Sequence, residues 1–281
     1  MRLTVLNNFI IAFIFLIADI ALYAQSFAVI GDAGRITSGS KSVRNSILQA
    51  GVRTLVLPGD NLYSGTYENV WKSWSDFDFS VVAIGNHNNG YQNEINFFDM
   101  PGEFYSKEYD GGLRFLVLNS DNTLNVDRQM KWLERELQKE ASITFLVWHH
   151  PSYNLGAHSW DGKLKFQTAV RSLIRQYSSK ISAVLLGHDH IAAFYCADNI
   201  PLILSGAVQE TTQPVTRNYK AENGVKISTK WVFPQSTPTW VRLDVDTESQ
   251  SVVVKYIRAS DNKVMFKSKI DEANKISICR T

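Results

Sequence analysis

The sequence has little cysteine, no surplus of charge and no long apolar run, and each shortage excludes something. Two cysteines in 281 residues cannot frame a disulfide-rich scaffold or build a cysteine-based zinc module. Lys and Arg number 29 against 27 Asp and Glu, a net charge of +2. Nucleic-acid binders normally carry a basic excess or stripe, so no nucleic-acid partner is expected. The longest apolar run, residues 9–18, is ten residues long, well short of the ~20 that cross a bilayer. Internal repeats and low-complexity linkers are also missing. Apolar residues make up 44% and charged residues 20%, the balance of a globular chain rather than a disordered one. Histidines number only six, so their positions carry weight.

The apolar run follows Arg2 and precedes Ala-Leu-Tyr-Ala at 21–24, the layout of a secretory signal peptide cut after Ala24. Asp19 and Leu22 depart from the ideal form, and an uncleaved amphipathic anchor or a buried first helix is the alternative. The expectation is an exported protein, periplasmic or secreted, with a leader over 1–24, no membrane span after its removal, and one domain over 25–281. Outside the cytosol Cys196 and Cys279 can close one disulfide, pinning the tail to a strand around 194–196; two free thiols are the other reading.

From Ser26 onward short apolar runs alternate with helical spacing, which predicts an α/β fold. Strands are expected at 27–30, 54–57, 81–84, 113–118, 143–148 and 181–186, and helices at 42–50, 126–140 and 165–177. In the second helix Met130, Leu133 and Leu137 share a face, with Glu134, Glu136 and Lys139 elsewhere. Apolar–polar alternation at 241–245 and 252–256 predicts strands with one wet face, and 264–266 suggests another. The polar stretch 209–230 has no periodicity and is taken as a solvated loop, with a substrate-facing lid as the alternative.

Five strand ends run into ligand-type residues: Gly31-Asp32-Ala33-Gly34, Gly59-Asp60-Asn61-Leu62-Tyr63, Gly85-Asn86-His87-Asn88, His149-His150-Pro151 and Gly187-His188-Asp189-His190. Layered α/β folds gather ligands at the carboxyl ends of their strands. Asp32, Asp60, Tyr63, Asn86, His149, His188 and His190 are therefore expected to meet. The preceding glycines are expected to permit the turns that aim them. Any one Gly-Asp or Gly-Asn pair is an ordinary turn, and a lone histidine is more often a core group than a ligand. Taken in order, the set holds more donors than one metal needs and suits two metal ions sharing a carboxylate.

In this order the motifs resemble the calcineurin-like metallophosphoesterase superfamily, and Tyr63, three residues after Asp60, resembles the small, tartrate-resistant type of purple acid phosphatase. The resemblance runs from about residue 27 to the C-terminal strands. It implies a four-layer α/β/β/α sandwich of two mixed sheets flanked by helices. It further implies a first metal held by Asp32, Tyr63 and His190, a second held by Asn86, His149 and His188, and Asp60 bridging both. Choosing His149 over His150 rests on the His-x-Pro spacing. Fe(III) is implied at the Tyr63 site, with Fe(II), Zn(II) or Mn(II) at the other.

His87, and His158 nine residues after His149, are implied to face the substrate; for His158 an exposed loop histidine is the plain alternative. The activity implied is hydrolysis of small phosphomonoesters by a metal-activated hydroxide, as in an acid phosphatase. A phosphodiesterase acting on nucleotides or lipid head groups, and a weakly active exported binding protein, are the rivals. One departure stands out: Asn88 occupies a position that is usually acidic in this family. It gives the His87 imidazole no negative neighbour, so acid catalysis is either weaker at neutral pH or shared with His158.

Overall fold

The computed structural model describes residues 24–153, 155–156, 158, 163–209, 227–233, 237–272 and 275–279. The leader expected over 1–24 lies outside the described residues, apart from Ala24, where the first strand opens. No described helix is long and apolar enough to cross a membrane.

The described strands form two mixed sheets flanked by helices. In the first, β1 (Ala24–Val29), β2 (Thr54–Pro58) and β3 (Asp78–Ala83) run parallel. Three antiparallel strands, β11 (Thr239–Asp246), β12 (Ser251–Arg258) and β13 (Lys263–Ile270), extend it beyond β1. In the second, β5 (Leu113–Val117), β6 (Ile143–Val147), β7 (Ala183–Leu186) and β9 (Ile200–Ser205) run parallel. Antiparallel β4 (Tyr105–Tyr109) closes one edge, and β8 (Ala192–Ala197) with β10 (Ile227–Phe233) the other.

Strands buried on both faces read as unbroken apolar runs, and the two-residue period divides them. Phe115, Val117, Phe145, Val147 and Leu185 enter a core shared with Phe27 and Leu243 of the first sheet. Their neighbours Leu116, Leu118, Leu146, Val184 and Leu186 pack instead on α4 (Val126–Gln138) and α5 (Leu164–Gln176). An edge-to-face contact of 5.1 Å between Phe27 and Phe115 joins the sheets. At the carboxyl ends of the strands they close further, where the Gly31 N–H donates to Ser205 O at 2.8 Å.

Several expectations need correcting. Helix α1 (Ser38–Gln49) starts four residues before the predicted 42, because Thr37 and Ser40 form a reciprocal capping box whose polar residues show no apolar period. Glu136 of α4 is buried rather than on the wet face; its carboxylate pairs with Lys139 at 2.8 Å and its carbonyl accepts from Arg114 at 2.9 Å. In the stretch taken as a solvated loop, residues 227–230 belong to β10, Gln209 is buried, and 210–226 lie outside the described residues. The strand predicted from 181 begins at Ala183. The hairpin of β8 and β9 turns at Asp198 and Asn199, both with positive φ, a turn that residues of this type tolerate.

Cys196 of β8 and Cys279 of α6 (Lys275–Cys279) form a disulfide, with Cα atoms 5.3 Å apart. The bridge ties positions 83 residues apart and restricts the unfolded chain accordingly. Cys196→Ser is expected to lower the unfolding free energy by about 2–5 kcal/mol in non-reducing urea titration, while reduced wild-type protein loses a similar amount. A variant as stable as the oxidised wild type would show that the bridge contributes nothing.

The segment after β2 is clamped from behind. Glu94 of α3 (Tyr91–Phe97) is fully buried and accepts from Asn61 Nδ2 at 2.6 Å and from the Tyr67 hydroxyl at 3.1 Å. Asn61 Nδ2 also donates to Ala83 O at 2.9 Å, while Trp71 of α2 (Tyr67–Trp71) donates to Asn61 O at 2.8 Å. Burial pushes the Glu94 carboxyl up to about 7, against the lowering effect of its two donors. The folded chain thus holds this proton more tightly than the unfolded one. Its contribution to stability is complete below about 4.5 and is lost as pH rises to about 7. Glu94→Gln imitates the protonated form, so across that window it should gain on wild type by on the order of a few kcal/mol in urea unfolding of the metal-free protein. Parallel stability curves for the two proteins would contradict this assignment.

Candidate metal centre

All seven donors expected from the strand ends lie at the edge where the two sheets close. Asp32 follows β1, Asp60 and Tyr63 follow β2, and Asn86 follows β3; His149 follows β6, and His188 and His190 follow β7. Asp32, Asp60, His149 and His188 are buried, Tyr63 and His190 half-buried, and Asn86 exposed at the mouth.

Two groups of donor atoms form. In the first, the Tyr63 hydroxyl lies 3.0 Å from His190 Nε2 and 3.3 Å from Asp32 Oδ1, with His190 Nε2 and Asp32 Oδ1 3.5 Å apart. In the second, His149 Nε2 lies 3.0 Å from Asp60 Oδ1, 3.1 Å from Asn86 Oδ1 and 3.2 Å from His188 Nδ1. The other nitrogen of His149 faces Pro58 O at 2.9 Å, which makes Nδ1 the donor and leaves Nε2 with a lone pair in the neutral ring. A carboxylate, an amide oxygen and a second imidazole nitrogen converge on that atom. So many acceptors aimed at one point need a proton or a cation between them. The donor set of O and N atoms, with a phenol in the first group, fits two metal ions. Among the described residues Asp32, Asp60 and His149 form one cluster of ligand atoms within 4.8 Å, and His149, His150 and His188 another.

The electrostatics are those of a site short of positive charge. Burial alone raises the Asp60 carboxyl, but His149 and the His87 N–H at 2.8 Å overcome it and bring it down to about 2. Burial lowers the His149 imidazole, yet Asp60 and Asp32 hold it up at about 9, so a proton stands between these groups. His188 is pushed down to about 3 by burial and by the charge of His149. Burial and the two aspartates push the Tyr63 phenol far above its ordinary range; a multivalent cation reverses that balance.

The glycines act differently from the expectation. Only Gly59 has a positive φ among those just before ligands, whereas Asp32, Asp60 and His188 themselves take φ of 59°, 56° and 76°. Gly85 and Gly187 are needed for room: a Cβ at Gly85 would come within 2.2 Å of Asp60 Oδ1, and one at Gly187 within 2.9 Å of Asp32 Oδ2.

The remaining histidines divide by position. His87 is exposed at the mouth, its ring 4.5 Å from that of Tyr63. His158 donates its N–H to Asp189 Oδ1 at 3.3 Å and sets its ring 5.2 Å from that of His188. His150 is buried behind them with Nδ1 2.8 Å from Ser120 Oγ, and burial drives its imidazole well below the usual range. Asn88 braces a turn, donating to Gly85 O at 2.7 Å and accepting from the Gly90 N–H at 2.8 Å. Sequence reasoning missed Gln209, whose Nε2 donates to Asp32 O at 2.6 Å, and the buried carboxylate of Asp189. Nothing in their spacing distinguishes them, although the alternation of Gly-His-Asp-His does send Asp189 away from its neighbours.

No curated protein sequence matches the chain. GAP50, the anchor in the inner membrane complex of Plasmodium, superposes with a TM-score of 0.69 at 15% identity, over 91% of this chain and 93% of that one. The purple acid phosphatase PPD1 from seeds of yellow lupin, Lupinus luteus, superposes with a TM-score of 0.67 at 16% identity, over 91% of this chain but 55% of that one. At such identities the likeness is one of fold. The sequence model of the calcineurin-like phosphoesterases matches residues 26–192, from β1 into β8 and across all five ligand-bearing strand ends. This chain belongs to the calcineurin-like phosphoesterase family.

Proposed function

We propose that the chain is an exported phosphatase with two metal ions that hydrolyses small phosphomonoesters in the manner of an acid phosphatase. Asp32, Tyr63 and His190 hold the first ion in this reading, Asn86, His149 and His188 the second, and Asp60 lies between them. The observation that carries it is the convergence of Asp60 Oδ1, Asn86 Oδ1 and His188 Nδ1 on His149 Nε2, all within 3.2 Å. A phenol beside Asp32 suits Fe(III) at the first position, and the nitrogen-rich second position suits Fe(II), Zn(II) or Mn(II). When bound, such a pair supplies Lewis acidity to the phosphate and brings the pKa of a water to about 7.

The chain's own residues do the rest. Asp60, braced by the His87 N–H, fixes the spacing of the two donor groups. Pro58 O sets the tautomer of His149 and so keeps its Nε2 turned inward. His87 stands at the open side, where its imidazole can give a proton to the departing alcohol oxygen. His158, tied through its backbone to Asp189, presents a second imidazole to the same space. Asn88 spends its amide on the turn rather than on the His87 ring, which leaves proton donation to be shared between the two histidines. A second reading, an exported binding protein on this scaffold, draws on the fold of GAP50 and on Asn88; the complete donor set opposes it.

Protein loaded with iron and zinc is expected to release phosphate from p-nitrophenyl phosphate and to lose that activity on chelation. Asp60→Ala should reduce kcat/KM by at least about a hundredfold, and turnover no higher in wild type than in this variant would end the phosphatase reading. Tyr63→Phe is expected to abolish the visible absorption band of the iron-loaded protein while leaving the far-UV circular dichroism unchanged. A band that persists in the variant would remove Tyr63 from the ligand set.

A further inference from the structure

A cation with no ionic partner among the described residues borders the mouth of the site. The Arg35 guanidinium carbon lies 4.9 Å from the centre of the Tyr63 ring, the same ring that His87 approaches at 4.5 Å. Arg35 is exposed, and among the described residues its guanidinium makes no ion pair or hydrogen bond. Lys163, by comparison, is paired with Asp121 at 2.5 Å. The backbone that carries Arg35 is fixed: the Gly34 N–H donates to Asp60 O at 3.0 Å, and Gly34 O accepts from the Tyr63 N–H at 2.9 Å. The loop of Arg35 is thereby stitched to both ends of the Asp60–Tyr63 segment. A guanidinium lying over a ring uses its face and keeps its in-plane N–H donors free, in the fork that suits carboxylate and phosphate oxygens.

We infer that Arg35 forms a second anion subsite, which selects phosphomonoesters whose alcohol portion carries a further carboxylate or phosphate. The inference rests on the phosphatase reading, since it assumes that the ester phosphate sits at the metal centre with its alcohol portion toward the mouth. His87 and Arg35 both lie against one ring, and the inference assigns the guanidinium to an anionic group on the alcohol portion of the ester. Exposure makes the contact modest, and it acts on binding rather than on the bond that breaks.

The test uses glycerol 3-phosphate and 3-phosphoglycerate, which differ by a hydroxymethyl against a carboxylate at the far carbon. Wild-type protein loaded with iron and zinc is expected to prefer 3-phosphoglycerate in kcat/KM. Arg35→Ala should cut that preference about tenfold through KM, and Arg35→Lys should restore part of it. A preference ratio unchanged in Arg35→Ala overturns the subsite, because a purely structural role would lower both substrates together. Calorimetry with 3-phosphonopropionate and propylphosphonate, which cannot be hydrolysed, gives a readout independent of turnover. Discrimination that is lost in Arg35→Ala supports the subsite even where no hydrolysis is seen, an outcome that defeats the phosphatase reading alone. Equal binding of the two phosphonates by wild type overturns it.

Discussion

The contact between Asp60 and His149 is the constraint on which the site depends. One comes from the first sheet and the other from the second, and both are buried where the sheets close. A carboxylate and an imidazole removed from water are costly unless each compensates the other. Here the 3.0 Å contact is reinforced on both sides: Pro58 O fixes the outer nitrogen of His149, and the His87 N–H fixes Asp60. The remaining donors are arranged around this pair. A one-residue slip of β6 in its pairing would turn His149 to the opposite face and empty the second group of its central atom.

Backbone conformation shows what the fold invests here. Asp32, Asp60 and His188 all sit in the left-handed region, which is uncommon for residues with a Cβ and costs about 1–3 kcal/mol each. Such conformations persist only where surrounding structure dictates them. The dictating contacts are present: the His188 N–H donates to Asp32 Oδ2 at 2.9 Å, the Asp32 N–H to Gly59 O at 3.0 Å, and Gln209 to Asp32 O. The two sheets supply rigid strand ends on either side, and Gly85 and Gly187 supply the clearance. Strain is thus concentrated at three donors and balanced by the closure of the sheets behind them.

Much of this was legible in the sequence because it depends on short-range patterns. Apolar runs marked β2, β5 and β6 nearly to the residue, and the polar group after each marked its carboxyl end. What escaped depends on long-range partners. The first part of β10, residues 227–230, is mostly polar and is a strand because β8 offers it an edge. Glu136 is buried because Arg114, on a neighbouring strand, needs the carbonyl beside it. Gln209, Glu94 and Asp189 support the site through hydrogen bonds across the fold, and no local period announces such bonds. The turn-forming role expected of the glycines holds at Gly59, whereas what Gly85 and Gly187 avoid is a collision with atoms that lie far away along the chain.

The floor and the rim of the site are therefore built on different principles. The floor is held by strand ends, buried donors and strained backbone, and changes there cost stability as well as geometry. The rim consists of exposed side chains, Arg35 and His87, carried on turns, where substitutions remain within a fraction of a kcal/mol of neutral. A fold shared with GAP50 and with PPD1 at 15% and 16% identity says little about activity, because fold and chemistry separate readily. The donor set on the floor decides whether the scaffold holds metals at all. On the proposed reading, the choice among phosphorylated compounds falls to the rim, where the Arg35 guanidinium has no ionic partner among the described residues.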